Sequence, residues 1–219
     1  MRISFLVAVL FNFFSFVPAQ VNSDLLLPTN QKGITIKHTY YTLSYSEADK
    51  QAEWVAYYLT PASINGLQKR SSKFLPDPLL SNPLGPGSYS KSGYDRGHLV
   101  SAEDFAFNQA YERLTFSYYN CFPQSSKLNK GPWKSWENKI RQESQKWPLK
   151  IYVGGIYSDK KLNNRVSVPK YCWKVVYNLK TKLIMHVLLF ENDAKASAVR
   201  VNLSKLKQML GYQVDFNMN

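Results

Sequence analysis

The run Ser92-Gly93-Tyr94-Asp95-Arg96-Gly97-His98-Leu99, SGYDRGHL, decides how the rest of the chain is read. It holds a turn glycine (Gly93), the acid-base pair Asp95 and Arg96, a second permissive glycine (Gly97), and then a histidine followed directly by the apolar Leu99 and Val100. Polar chemistry is thereby set at the mouth of something buried. Downstream, Asn120, Asn129 and Glu137 lie in a segment broken by Pro123-Gln124 and Gly131-Pro132. Turns at those breaks can bring the oxygen-bearing side chains back towards His98.

The flanking segments predict an α+β fold with a largely antiparallel sheet and helices packed on it. Aromatic and β-branched density predicts strands at Ile36–Leu43 and Trp54–Leu59, with a turn or short helix between them. Residues 63–84, with Pro76, Pro78 and Pro83, read as a shaped loop. Ser101 as a cap predicts a helix over 101–113, and a strand follows at Thr115–Cys121, ended by Pro123. Pro132 opens a helix over 133–147, on which Trp133, Trp136, Ile140, Ser144 and Trp147 share one arc with Glu137 at its edge. Strands are predicted at Leu149–Ile156, Tyr171–Asn178 and Ile184–Phe190, and a basic amphipathic helix within Lys195–Leu210. The sequon at Asn202 is assigned no role.

The chain has 219 residues and a formal charge of +13, with 44% hydrophobic residues. That suits one domain with a large core. Residues 1–19 stand apart: Arg2, an apolar run from Ile3 to Phe16, then Val17-Pro18-Ala19. The run is short for a membrane span and a small-residue site follows it, so 1–19 reads as a signal peptide and 20–219 as the single mature domain. An uncleaved anchor is the alternative. The expected location is secreted or periplasmic, with no stable membrane association after cleavage. The basic excess favours a polyanionic partner. Cys121 and Cys172 form a possible disulfide in an export context. No CxxC pair or His/Cys cluster occurs, which argues against structural zinc or a thiol redox centre.

Arginines, a histidine and hard oxygen ligands in a basic chain point to metal-assisted cleavage of a phosphodiester. His98 is the histidine in a polar, glycine-shaped setting, and its neutral form can take a proton from water. His38 and His186 lie in strand-like runs and read as structural. Asn120 and Asn129 each offer a carboxamide oxygen suited to Mg²⁺, or else satisfy buried backbone groups. Arg96 and Arg70 can clamp phosphate oxygens, provided the loop of Arg70 folds back beside Arg96. Glu137 is either an i,i+4 partner of Arg141 or a carboxylate at a metal site.

Taken together, these segments resemble the DNA/RNA non-specific endonuclease family, nucleases of the ββα-metal (His-Me finger) class. Its DRGH motif matches Asp95, Arg96, Gly97 and His98; its Asn before a PQ step matches Asn120; and its N-x-G-x-W-x-x-x-E pattern is similar to Asn129, Gly131, Trp133 and Glu137, with Arg141 one turn on. The resemblance implies that His98 is the general base and that Asn129 is the direct protein ligand of one Mg²⁺, with Mn²⁺ as an alternative. It further implies that Glu137 acts on that ion through water, that Asn120 holds the site, and that Arg70, Arg96 and Arg141 contact phosphate. DNA and RNA are then both substrates, bound mainly through backbone phosphates and cut to 5′-phosphorylated products. Two other readings stay open: a catalytically inactive secreted nucleic-acid-binding protein, and a phosphodiesterase of small nucleotides.

Overall fold

Seven antiparallel strands, running in space from Ile34–Lys37 through Tyr41–Ser46, Gln51–Leu59, Leu149–Leu162, Val166–Asn178 and Leu183–Glu191 to Ala198–Arg200, form the main sheet. The computed structural model describes residues 33–64, 66, 68–76, 80–212 and 216, so the leader expected at 1–19 lies outside the described residues. The chain runs through β1 (Ile34–Lys37), β2 (Tyr41–Ser46), β3 (Gln51–Leu59), α1 (Pro61–Ile64), β4 (Asp95–His98), α2 (Gln109–Thr115), β5 (Cys121–Gln124), α3 (Ser126–Leu128), α4 (Lys134–Ser144), β6 (Leu149–Leu162), β7 (Val166–Asn178), β8 (Leu183–Glu191), β9 (Ala198–Arg200) and α5 (Leu203–Leu210). Strands β4 and β5 pair with each other in a separate ribbon.

The period of two along each strand sorts the side chains onto two faces. Val55, Ile151, Val153, Val176 and Leu188 join Phe122 of the ribbon and Trp133 and Ile140 of the helical segment in one core. Trp54, Tyr152, Trp173, Val175 and Leu189 face the other way, under Leu206 and Leu210 of α5. A third cluster, with Phe74, Tyr89, Phe116, Tyr118 and Val168, lies beside β4. The sheet is thus a rigid plate that seats the ribbon and α4 on one side and α5 on the other.

Several expected elements divide. The strand expected at Ile36–Leu43 is two strands, because the chain reverses where the His38 N–H donates to the Tyr41 carbonyl (2.9 Å). Residue density cannot tell a hairpin from one strand. The helix expected over 101–113 breaks into a 3₁₀ turn at Ala102–Phe105 and α2, because Asn108 Oδ1 accepts from Ala110 N (2.9 Å) and Tyr111 N (3.3 Å) and starts a new helix. Thr115 belongs to α2, a 3₁₀ turn spans Tyr118–Asn120, and Pro123 sits inside β5. A two-stranded ribbon has open edges, which tolerate a residue with no N–H. The helical segment starts at Ser126, passes through a wide turn at Asn129–Trp133 where Gly131 is non-helical (φ −106°, ψ −111°), and ends at Ser144, not at residue 147. Within 195–210 only α5 is helical; Asn202 caps it by accepting from Lys205 N (2.7 Å), and Gly211 ends it at φ +68°.

The disulfide considered between Cys121 and Cys172 does not form; both are buried free thiols. They belong to different core clusters: Cys121 lies 3.5 Å from the Tyr118 carbonyl, and Cys172 accepts from Gln124 Nε2 at 3.9 Å. Burial pushes both thiols well above the usual range. Native protein should therefore resist iodoacetamide, while unreduced, denatured protein gains two carbamidomethyl groups by mass spectrometry. Denatured protein that gains none would show a bridge.

Candidate active site

The DRGH strand is positioned by what it pairs with. In the ribbon register Asp95 faces Gln124, Arg96 faces Pro123, Gly97 faces Phe122 and His98 faces Cys121. A Cβ at Gly97 would lie 2.7 Å from Gln124 Cβ, an atom fixed by the paired strand, so glycine suits this approach. Asn120 fixes the chain beyond His98. Its backbone carbonyl accepts from Leu99 N (3.0 Å), its Oδ1 accepts from Val100 N (3.0 Å), and its Nδ2 donates to the carbonyls of Val100 (3.0 Å) and Thr115 (2.8 Å). A buried carboxamide so engaged braces the backbone of the site and is not an ion ligand.

His98 stands between two aromatic rings, Phe74 at 4.9 Å and Phe116 at 4.7 Å. The same two rings carry the arginines: Arg96 lies 4.8 Å from the centre of Phe74, and Arg70 lies 5.3 Å from that of Phe116. The loop of Arg70 does fold back, and both guanidinium groups line one cleft of about 930 Å³ with His98, Asn129 and Glu137. Nε2 of His98 is buried without a partner. Burial first, then the charges of Arg70 and Arg96, hold the imidazole down at about 3. At neutral pH it is an unprotonated base.

The opposite wall comes from the helical segment. The wide turn at Asn129–Trp133 swings Asn129 beneath the ribbon, where its Nδ2 donates to Asp95 Oδ2 (3.0 Å). That bond fixes the carboxamide and leaves Oδ1 as the available acceptor. Lys130 Nζ lies 3.8 Å from the same Asp95 oxygen. Further along, Glu137 Oε1 is buried without a partner. Burial raises Glu137 to about 7, with Asp104 adding to the rise and buried Lys174 opposing it.

Arg141 is not the partner of Glu137. Its Nη1 donates to Asp104 Oδ1 (2.7 Å), and its Nη2 to Glu103 Oε2 (2.8 Å) and Asn138 Oδ1 (2.6 Å). Two carboxylates from the 102–105 turn hold the guanidinium, so Arg141 braces α4 against that turn, and it lies outside the lining of the cleft. The i,i+4 spacing could not reveal the competing acids. His38 stacks on Tyr119 at 5.2 Å, and His186 meets Glu143 at 2.9 Å, both outside the cleft lining. Phe74, Phe116 and Lys134 of the cleft wall were missed, because nothing in their local sequence sets them apart.

The donor set fits a hard divalent cation. Among the described residues no group of three or more His, Cys, Asp or Glu is placed to hold a metal. What the cleft offers is one carboxamide oxygen and one buried carboxylate oxygen without a partner. Such a site leaves most of the coordination shell to water, and with His98 as the one nitrogen donor in the lining it has no cluster of nitrogen and sulfur ligands of the kind structural zinc takes.

Comparison with known proteins gives a consistent result. A family model described as DNA/RNA non-specific endonuclease matches residues 22–219. A nuclease of Nostoc sp. is 31% identical over 92% of this chain and 78% of its own length. Mitochondrial endonuclease G of Caenorhabditis elegans is 24% identical over 90% of this chain and 76% of its own. In fold, the chain is similar to a crystal structure of the EndoG/EndoGI complex, with a TM-score of 0.76, 20% identity, and 93% and 94% of the two chains covered.

Two outcomes follow for stability. In the unfolded chain Glu137 ionises near 4.5, and in the ion-free fold near 7; the folded state therefore holds the extra proton between these values and loses stability as pH rises through them. In EDTA at pH 8, Glu137→Gln should melt higher than wild type by several degrees, roughly 1–3 kcal/mol, and at pH 4 the two should coincide. An equal gap at both pH values would contradict the burial of this carboxyl. Asn120→Ala should lower unfolding free energy in urea by about 2–4 kcal/mol, since three buried backbone groups lose a partner.

Proposed function

Because the chain belongs to the DNA/RNA non-specific endonuclease family, we propose that it is a metal-dependent endonuclease that hydrolyses the phosphodiester bonds of DNA and RNA without sequence preference and leaves 5′-phosphorylated ends. The observation that carries this reading is the neutral imidazole of His98, its Nε2 unpaired, in the same cleft as two phosphate-seeking guanidinium groups. The amino-terminal apolar run adds export to the proposal, with residues 20–219 as one secreted or periplasmic domain.

Each residue has a separate task. Arg70 and Arg96 draw in the phosphodiester and fix its non-bridging oxygens. His98 Nε2 takes a proton from the attacking water as its oxygen bonds to phosphorus. The bond from phosphorus to the 3′ oxygen breaks, and that oxygen takes a proton from solvent water, giving a 3′-hydroxyl and a 5′-phosphate. Asn129 Oδ1, and Glu137 through water, would hold a Mg²⁺ ion, which when bound offsets charge on the phosphoryl group and the departing oxygen. The substrate also tunes the base. In the empty cleft the arginines oppose protonation of His98; a bound phosphate screens them, so proton affinity rises where the reaction needs it.

Both DNA and RNA present the phosphate that these groups address, and binding through phosphates weakens as salt rises. With Mg²⁺, the purified mature chain should degrade circular plasmid and ribosomal RNA, and EDTA should abolish both. His98→Ala should stay folded and slow cleavage by about 10²–10⁴-fold. Retention of both polymers in a gel without cleavage under any divalent ion would instead favour an inactive binding protein.

A further inference from the structure

Four aromatic residues line the cleft: Phe74, Tyr89, Tyr94 and Phe116. Phe74 (6% exposed), Tyr89 (7%) and Phe116 (3%) are buried, and two of them are engaged by His98. Tyr94 is the half-buried one, packed on the third core cluster on one side and bordering the cleft on the other. It immediately precedes β4, so strand alternation sets Tyr94, Arg96 and His98 in one row along the cleft, with roughly 7 Å between successive members. That spacing is about one nucleotide's reach from the arginine that would hold the phosphate.

The ring is also pinned. The exposed Lys160, on the far end of β6, donates from Nζ to the Tyr94 hydroxyl at 2.8 Å. The same Nζ lies 5.1 Å from the ring centre, so the ammonium stands off the hydroxyl edge and does not cover the ring face. The β6–β7 hairpin that carries Lys160 is itself tied down: Arg165 Nη2 donates to the carbonyls of Asn82 (2.9 Å) and Pro83 (3.3 Å), and Asn163 Nδ2 to that of Ser88 (3.3 Å). A fixed, part-exposed aromatic face in a cleft lined by Arg70, Arg96, Lys130 and Lys134 is the combination that binds single-stranded nucleic acid, because every base has a face to stack.

We propose that Tyr94, held by Lys160, is a stacking platform for the nucleobase next to the scissile phosphate, and that it biases the cleft towards unpaired bases without reading their identity. The proposal rests on the nuclease reading of the same cleft. Stacking is blind to sequence but not to pairing: a base inside a duplex is already stacked and has no free face to offer.

The test separates base from backbone. Fluorescence anisotropy in EDTA compares a short labelled DNA strand with an abasic strand of the same length and charge, for wild type, Tyr94→Phe, Tyr94→Leu and Tyr94→Ala. Wild type should bind the base-bearing strand on the order of ten-fold more tightly than the abasic one, and Tyr94→Phe, which keeps the ring but loses the bond to Lys160, should keep a smaller preference. Tyr94→Ala should bind both alike while keeping wild-type affinity for the abasic strand; if it fails to fold, Tyr94→Leu, which preserves apolar volume, carries the same expectation. With Mg²⁺, the loss should appear in KM on single strands, with kcat retained. Equal weakening on both strands, or no preference in wild type, overturns the platform. A wild type that prefers bases yet cuts nothing would overturn the nuclease reading and leave the platform standing.

Discussion

An imidazole kept neutral in a cleft built for polyanions is the constraint on which the other site features depend. Water around His98 would let it take a proton near its ordinary value, and a nearby carboxylate would hold that proton. The fold limits the first and pairs the ring with no carboxylate: Phe74 and Phe116 flank the half-buried imidazole, and the charged groups that depress it are Arg70 and Arg96. An unfolded chain takes up the proton near 6.5 and the folded one not until about 3, so acidification through that window works against the fold. The base is bought with stability. Asn120 answers part of that strain by tying the chain after His98 to two neighbouring segments.

The acids of the site are divided by the same logic. Asp104 and Glu103 are neutralised by Arg141, and Tyr57 donates to Asp104 at 2.9 Å, which fastens α4 to the turn after the DRGH strand. Asp95 orients Asn129. Glu137 alone among these is left with a buried oxygen and no partner. A carboxylate stranded in that way destabilises the ion-free protein at neutral and higher pH, and a cation bound there, as the proposed function requires, would relieve it. Ion binding and folding would then be coupled at one residue.

The chemistry was more legible than the chain path. Asp95–His98, Asn120, Asn129 and Glu137 stood out as polar groups beside glycine and proline breaks, their roles came from the likeness to the family's motifs, and the structure gathers His98, Arg96, Arg70, Asn129 and Glu137 around one cleft. What local sequence could not show was competition between distant groups. Arg141 goes to acids of another element, and the two thiols enter different cores. Nor could it show reversals: His38–Tyr40 has the composition of a strand and the geometry of a turn, and Asn108 is a cap hidden inside an apparently continuous helix. Phe74 and Phe116, which make the imidazole what it is, matter only through where the fold puts them.

The central claim concerns one proton. Side-chain ¹⁵N and ¹³C NMR of His98, followed against pH in the ion-free protein and assigned with His98→Ala, reads it directly. The account predicts a neutral imidazole from pH 8 down to about pH 4, with its transition near 3 if the fold survives that far. A His98 that titrates near the ordinary value of 6.5 would contradict it, since the ring would then be either wet or paired and the cleft would lack the poised base on which the mechanism depends.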